Sequence, residues 1–118
     1  MTLAKDLEIL LRRPARRRKY GNDPTGLYAS KKEAKRAQEL ALLQKARLIR
    51  GLQSQVRFEL VPKQDEEQGV DYVADFVYYE GGMFVVEDVK SAATRKNRAY
   101  VIKRKLMRYL HNIRIRET

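Results

Sequence analysis

Apolar residues recur at helical spacing in two segments of the first half of this chain. The first segment predicts a short amphipathic helix that ends near Pro14, with apolar positions Leu3, Leu7, Leu10 and Leu11. A second helix should begin at Ser30, where Ser-Lys-Lys-Glu forms a capping box, and end near Gly51. Its predicted core-facing positions are Ala34, Ala37, Leu40, Ala41, Leu43 and Leu48.

The last quarter of the chain predicts one more helix and a closing strand. Helical spacing extends over residues 95–110, with Thr94 as a candidate cap. The residues predicted to be buried are Ala99, Ile102, Leu106 and Tyr109 or Leu110. Ile113 and Ile115 then alternate with arginines, as in a strand.

Alternation of apolar and polar residues predicts three strands in the middle of the chain. Residues 53–61 form the first strand, which Pro62 closes. Residues 72–90 are two β-rich runs joined at Gly81-Gly82, and glycines tolerate the positive φ angles of a tight turn. We therefore predict a hairpin with a two-residue loop, in a mixed-sheet α/β (α+β) protein.

The hairpin predicts a pair of facing carboxylates. With a two-residue loop, Asp75 lies directly opposite Asp88, whereas a three-residue loop would set Asp75 against Glu87. Facing carboxylates with Cβ atoms roughly 4.5–5.5 Å apart destabilise a sheet unless a cation or a proton lies between them, and Mg²⁺ suits such oxygens. The predicted face consists of Val73, Asp75, Val77 and Tyr79 on one strand and Phe84, Val86, Asp88 and Lys90 on the other.

Asp75, a hairpin, and then Asp88-Val89-Lys90 resemble the signature of the PD-(D/E)XK nuclease superfamily. From about residue 19 to residue 117 the chain is similar to a small phage-borne member, and the further matching segments are residues 30–34, 55–60 and 103–107. Ala74 stands where the family pattern has a proline. The resemblance implies a restriction-endonuclease-like core in the order αβββαβ, spanning residues 29–118. An extra helix and a basic arm would precede it in residues 1–28.

The resemblance also implies an activity and a metal site. It implies a Mg²⁺-dependent DNA endonuclease, with Mn²⁺ as a substitute metal, that leaves 5′-phosphate and 3′-hydroxyl ends. Asp75, Asp88 and the Val89 carbonyl would hold the metal, and Lys90 would position the attacking water. The implied substrate is branched DNA, as for a Holliday-junction resolvase of a phage or prophage, cut by a homodimer.

Glu33 has two roles open to it. As the third residue of the capping box it can return a hydrogen bond to the Ser30 amide. In the resembling nucleases a glutamate on the first helix often joins the catalytic metal site. Glu39, one to two turns further along the helix, is the less favoured substitute.

Charge is distributed unevenly along the 118 residues. The net charge is +11, with +9 in residues 1–50, −6 in residues 51–90 and +8 in residues 91–118. Basic ends around an acidic middle suit a polyanion-binding surface with a cation site at its centre. The predicted DNA-binding residues are Arg12, Arg13, Arg16, Arg17, Arg18 and Lys19 in the arm and Arg95, Lys96, Arg98, Lys103 and Lys105 near the last helix. A nuclear-localisation signal is a second interpretation of the arm.

Composition limits the remaining classes of protein. The chain has no cysteine, which excludes disulfides and cysteine-held metals, and no segment approaches a membrane span, so we expect a cytoplasmic protein of a bacterial or phage-infected cell. We expect solvated carboxylates in residues 65–67, a helix-capping His111 and tyrosines that pack in the sheet. Two alternatives to the nuclease stay open, namely a non-catalytic basic DNA-binding protein of the same fold and a basic RNA-binding protein.

Overall fold

The computed structural model describes residues 30–118. The predicted N-terminal helix and the basic arm, with its candidate DNA-binding residues between positions 12 and 19, lie outside the described residues. In chain order, the helices and strands are α1 (Lys31–Lys45), β1 (Arg50–Val61), β2 (Val70–Glu80), β3 (Met83–Asp88), α2 (Ala92–Arg95), α3 (Arg98–His111) and β4 (Arg116–Glu117).

The four strands form one mixed sheet in the order β1-β2-β3-β4. The pairs β1–β2 and β2–β3 are antiparallel, while β4 pairs with β3 in parallel. The predicted α/β class with a mixed sheet is confirmed. None of the helices between residues 30 and 118 is both long enough and apolar enough to cross a bilayer.

The predicted hairpin register is confirmed. Phe76 pairs with Glu87 and Tyr79 with Phe84, as a two-residue loop requires. The loop glycines Gly81 and Gly82 have φ angles of +56° and +80°, which residues with a side chain rarely adopt. This register excludes the alternative in which Asp75 faces Glu87.

Two apolar clusters pack against the sheet. The larger one includes the α3 residues Tyr100 and Met107, and the smaller one includes the α1 residue Leu40. The strand residues of the larger cluster are Val56, Phe58, Leu60, Tyr72, Ala74, Val77 and Val86, while those of the smaller one are Phe76, Tyr78 and Val85. Ile113 and Ile115 are buried in the larger cluster, as their alternation predicted, although the strand itself begins only at Arg116.

The predicted alternation along β2 is wrong in its first half. Tyr72 and Ala74, expected on the opposite face from Val77, belong to the same apolar cluster. The change of face coincides with Gln55 on the neighbouring strand, whose backbone is left-handed with φ of +53°. A residue in this conformation interrupts the regular alternation of side chains between the two faces of the sheet. Side chains before and after this point therefore follow different alternations.

The buried face predicted for α3 is wrong except at Leu106, which packs against the larger cluster. The helix begins at Arg98, and the Asn97 side chain caps it by accepting a hydrogen bond from the Tyr100 amide. The helix buries Tyr100 and Met107. The predicted core positions Ala99, Ile102, Tyr109 and Leu110 are exposed and Leu106 is half-buried. Tyr100 and Met107, each one position along the helix from a predicted core residue, pack over the sheet instead. The expected cap Thr94 lies within α2, which is capped by Ser91.

The end of α1 also differs from the prediction. The helix stops at Lys45 rather than near Gly51, because Arg47 turns the chain in a left-handed conformation with φ of +65°. The chain then enters β1 at Arg50, three residues earlier than predicted. Leu48, predicted to be in the core, is therefore 63% exposed, and Ala41 is exposed as well.

His111 does not cap α3. The left-handed Asn112 is the C-terminal cap, and its amide bonds to carbonyl oxygens of the last turn. The Nε2 atom of His111 lies 2.9 Å from the Glu59 carbonyl oxygen, and its ring packs near Phe58. The histidine thus ties the end of α3 to β1. The carboxylates of residues 65–67 are exposed, as predicted.

A partly buried ion pair anchors α1 to the sheet. The Arg36 guanidinium donates two hydrogen bonds to the Glu87 carboxylate, at 2.6 and 2.9 Å. Tyr78 donates a third, at 2.6 Å, and the Glu87 side chain is fully buried. Burial and this bond to Glu87 raise the pKa of Tyr78 to about 12. Glu87 therefore belongs to a structural network on the α1 side of the sheet.

Candidate active site

Asp75 and Asp88 come together where the β2–β3 ladder ends. The last pair of the ladder joins Phe76 to Glu87, so Asp75 and Asp88 are the next residues in line. The Val89 amide donates a hydrogen bond of 2.9 Å to Oδ2 of Asp75. Both aspartates are at most 1% exposed. The structure thus brings together the two carboxylates that the sequence predicted, with Val89 beside them.

Asp88 receives polar contacts at one of its two carboxylate oxygens. The Tyr72 hydroxyl donates to Oδ2 at 2.6 Å, and the Lys90 ammonium lies 3.2 Å from the same atom. Oδ1 is buried and accepts no hydrogen bond. A buried acceptor that no donor satisfies costs about 1–3 kcal/mol, so this oxygen is suited to a further cationic or protic partner.

The electrostatics of the pair favour a bound proton when no cation is present. Burial raises the pKa of Asp88 to about 8, and the neighbouring Asp75 contributes in the same direction. Lys90 and Tyr72 act in the opposite direction, but they do not cancel the effect of burial. Burial and the Asp88 charge likewise raise the pKa of Tyr72 well above its ordinary value. Tyr72 is therefore a hydrogen-bond donor throughout the neutral range.

Lys90 is held in place from two sides. Its ammonium lies 4.7 Å from the centre of the Tyr100 ring, a cation–π contact, as well as beside Asp88. Its amide donates to the Thr118 carbonyl, and the Thr118 amide donates to the Asp88 carbonyl. The backbone around the site is thus fixed by Thr118, the residue after β4, and the lysine side chain by Tyr100 of α3 and by Asp88.

The site opens into a cleft of about 320 Å³, which we call the Asp88 cleft. It lies between the sheet and the first turns of α3, and it is lined by Gln55, Tyr72, Val73, Asp88, Lys90, Ala99, Tyr100 and Lys103. Among the predicted DNA-binding residues, Lys103 therefore reaches the site directly. Arg95, Lys96 and Arg98 are exposed on or beside α2 and at the start of α3.

Lys105 is separated from the Asp88 cleft. It lines a second cleft, of about 290 Å³, together with Arg104, Arg108 and Arg114. Three of these four cations belong to α3, a helix that contains no acidic residue. The last helix therefore presents positive charge on both of its flanks, although only one flank borders the aspartates.

Glu33 is connected to the cleft through another residue. Its amide donates to Ser30 Oγ at 3.1 Å, which is the capping contact the sequence predicted for Ser30. Its side chain, 2% exposed, accepts a hydrogen bond of 3.0 Å from Gln55 Nε2. Gln55 itself lines the Asp88 cleft. The alternative Glu39 is bound to Arg36 and half exposed, outside the cleft lining.

Three residues of the site were not predicted from the sequence. Tyr72 packs in the sheet as expected, but its hydroxyl also contacts Asp88, which the sequence did not predict because β2 changes face between Ala74 and Val77. Tyr100 is one position away from the predicted apolar face of α3. Nothing in the sequence distinguishes Gln55 from an exposed strand residue, since its left-handed backbone is set by tertiary structure. A left-handed non-glycine residue costs roughly 1–2 kcal/mol.

The oxygen atoms of the site fit a hard divalent cation. Two carboxylates lie side by side, and Asp88 Oδ1 and Gln55 Oε1 are buried acceptors without a donor. Mg²⁺ is usually held by one or two carboxylates while it keeps several water ligands. Within residues 30–118 no group of three or more histidine, cysteine, aspartate or glutamate side chains is arranged around a single point. The donor set therefore suits an open, partly hydrated cation rather than a closed structural metal.

Comparison with known proteins assigns the chain to a family without assigning an activity. No curated protein and no solved structure matches the chain. The model of one family, described as "Protein of unknown function (DUF1064)", matches residues 18–117 and so includes the whole of the site described above. The chain therefore belongs to the DUF1064 family.

Proposed function

We propose that this protein is a Mg²⁺-dependent DNA endonuclease whose metal site is built on Asp75 and Asp88. The observation that carries the proposal is the burial of these two carboxylates side by side with the Lys90 ammonium 3.2 Å from Asp88. Two adjacent buried carboxylates repel each other unless one binds a proton or both bind a cation. A purely structural role does not explain why the fold would keep such a pair. A divalent cation satisfies both.

The order of elements supports the same proposal by resemblance. A helix, three antiparallel strands, a further helix and a strand parallel to β3 follow one another, with the aspartates on β2 and β3. This order is similar to the restriction-endonuclease-like core of the PD-(D/E)XK nucleases, apart from the short insertion of α2. Since folds carry many functions, the side chains of the Asp88 cleft are the stronger argument.

Each residue of the cleft has a chemical task in phosphodiester hydrolysis. Asp75 and Asp88 would hold the cation, and Tyr72 would keep the Asp88 carboxylate oriented by its hydrogen bond. Bound Mg²⁺ supplies a positive charge for the scissile phosphate and a water of lowered pKa. Lys90, held against Tyr100, would orient the attacking water and offset the negative charge that develops on the phosphate.

The charge distribution supports DNA as the substrate. A net charge of +11 exceeds what solubility requires, and Lys103 places a cation in the lining of the Asp88 cleft itself. The exposed cations of α2 and α3 extend the positive surface beyond the cleft. By resemblance to the junction-resolving nucleases, we propose branched DNA as the preferred substrate.

The proposal predicts metal-dependent cleavage of DNA by the purified protein. A four-way junction, a linear duplex and a single strand should be incubated with the protein in Mg²⁺, in Mn²⁺ or in EDTA, and the products separated on a denaturing gel. We expect cleavage in either metal, none in EDTA, and the fastest rate on the junction. Ligation of the products by DNA ligase checks for 5′-phosphate and 3′-hydroxyl ends.

Two results would change the proposal in different ways. Binding of all three DNAs without cleavage in either metal would replace it with the non-catalytic DNA-binding protein. Cleavage that continues in EDTA would show a reaction that needs no divalent cation, and the role of the aspartates would then be wrong. Equal rates on the three DNAs would remove only the preference for branched substrates.

A further inference from the structure

Gln55 has an unusual backbone conformation for a strand residue with a long side chain. Its φ angle is +53°, in the left-handed region that glycine adopts freely and that other residues adopt at a cost. Nearby, at φ of +67°, the chain uses glycine, Gly51. Such strain in the middle of a strand often accompanies a functional side chain.

The Gln55 amide is held in one orientation. Its Nε2 atom donates to Glu33 Oε2 at 3.0 Å, and a carboxylate can only accept. The amide oxygen must therefore point away from Glu33. This oxygen is buried, in a residue that is 9% exposed, and no donor in the described structure satisfies it. The fold thus presents an acceptor atom that is aligned by Glu33 and lacks a partner.

Gln55 lies in the same row of the sheet as the aspartates. The ladder pairs Ser54 with Phe76 and Val56 with Ala74, so position 55 lies across from Asp75. Asp75 in turn adjoins Asp88 at the end of the next ladder. Gln55 and Asp88 also line the same cleft. Three neighbouring strands therefore bring one amide oxygen and two carboxylates to one place.

We propose that Gln55 supplies a third oxygen donor to the hydrated cation and that Glu33 is a positioning residue for its amide. This inference rests on the metal site of the proposed function. A neutral donor suits the position, because a further carboxylate beside Asp75 would add like charge to an already buried pair. It also assigns to Glu33 a role that acts through Gln55 rather than on the metal.

The test measures Mn²⁺ binding to the DNA-free protein by calorimetry, so that it does not depend on cleavage. Glycine and asparagine both tolerate a left-handed backbone. Gln55→Gly removes the amide oxygen, and Gln55→Asn draws it back by one methylene group. We expect Mn²⁺ to bind about tenfold more weakly to either variant, as the loss of one good polar contact implies. The matched control is Gln53→Asn, an exposed glutamine on the same strand, which should bind like the wild type.

Folding of the variants is checked separately. Since Gln55→Gly relieves the backbone strain, its melting temperature should stay within about 5 °C of the wild type, which corresponds to a small change in stability. A tenfold weaker affinity in a protein that melts normally supports a donor role. A structural role alone would lower the melting temperature and leave the affinity of the folded protein unchanged.

The positioning role of Glu33 is tested by a double-mutant cycle. Glu33→Gln can present either an oxygen or an amino group to Gln55, so the amide loses its single orientation and Mn²⁺ should bind about threefold more weakly. Because Glu33 acts through Gln55, the double variant with Gln55→Gly should bind no more weakly than Gln55→Gly alone. Additive losses would overturn the positioning role.

The outcomes separate this inference from the function on which it rests. Wild-type affinity in Gln55→Gly and Gln55→Asn would overturn the donor role, while the metal site of Asp75 and Asp88 would stand. Absence of Mn²⁺ binding to the wild-type protein would overturn the metal site itself, and the role of Gln55 with it.

Discussion

Replacement of Asp88 by asparagine should lower the rate of DNA cleavage by about a thousandfold, the scale expected when a charged group that organises the transition state is lost. Asparagine keeps the shape of the side chain and can still accept from Tyr72, but it carries no charge to hold a cation beside Asp75. The effect should appear as weaker metal binding together with a lower rate at saturating metal.

The same substitution should stabilise the metal-free protein in alkaline solution. Burial raises the pKa of Asp88 to about 8, whereas an unfolded aspartate titrates near 4. The stability that the protonated form contributes is therefore complete below about pH 4 and is lost as the pH rises through about 8. Asparagine does not titrate, so at pH 9 the free energy of unfolding of Asp88→Asn should exceed that of the wild type by at least about 2 kcal/mol.

Urea denaturation at pH 5 and pH 9, with EDTA and with Mg²⁺, measures this second effect. The matched control is Asp71→Asn, a half-exposed aspartate on the neighbouring strand β2 that pairs with Arg57. It should change neither the cleavage rate nor the pH dependence of stability appreciably. An Asp88→Asn protein that cuts DNA normally, or that is destabilised equally at both pH values, would contradict the assignment of Asp88.

Replacement of Lys90 by methionine should lower cleavage by about a hundredfold, within the range for loss of one electrostatic contact to a transition state. Methionine keeps the length of the side chain and its packing on Tyr100, but it removes the positive charge 3.2 Å from Asp88. Because that charge repels a bound cation, Mn²⁺ should bind to Lys90→Met as tightly as to the wild type or more tightly.

This separation of rate from metal affinity distinguishes a catalytic lysine from a structural one. Single-turnover cleavage gives the rate, and calorimetry with Mn²⁺ on the same preparation gives the affinity. Lys63→Met, an exposed lysine after β1, is the matched control and should leave both unchanged. If the rate and the affinity fell together in Lys90→Met, the lysine would be needed to build the metal site, and its proposed role in the reaction would be wrong.

The hairpin could be predicted because its determinants are local. Two adjacent glycines with positive φ angles set the loop length, and loop length alone sets which residues face each other. Counting outward from the two loop glycines gives the pairing of Phe76 with Glu87 and hence the adjacency of Asp75 and Asp88. The cap at Ser30 is local in the same sense, because it involves an amide only three residues away.

The remainder of the site depends on contacts between distant parts of the chain. Gln55 of β1 adopts a left-handed conformation and donates a hydrogen bond to Glu33 of α1, and no periodicity in the sequence predicts either feature. The predicted buried face of α3 is wrong because helical spacing cannot show that Tyr100 packs against the sheet, where it also contacts Lys90 and donates to Glu117. A three-residue loop would have set Glu87 against Asp75, but Glu87 pairs with Phe76 and its carboxylate accepts hydrogen bonds from Arg36 of α1.

Diffraction from crystals grown or soaked in Mn²⁺ tests the metal site most directly, since the anomalous signal locates the ion without reference to activity. The account predicts one strong peak in contact with the carboxylates of both Asp75 and Asp88, with Lys90 beside it, and loss of that peak in Asp88→Asn crystals. A structure with the two carboxylates still adjacent at saturating Mn²⁺ and the ion bound elsewhere would contradict it.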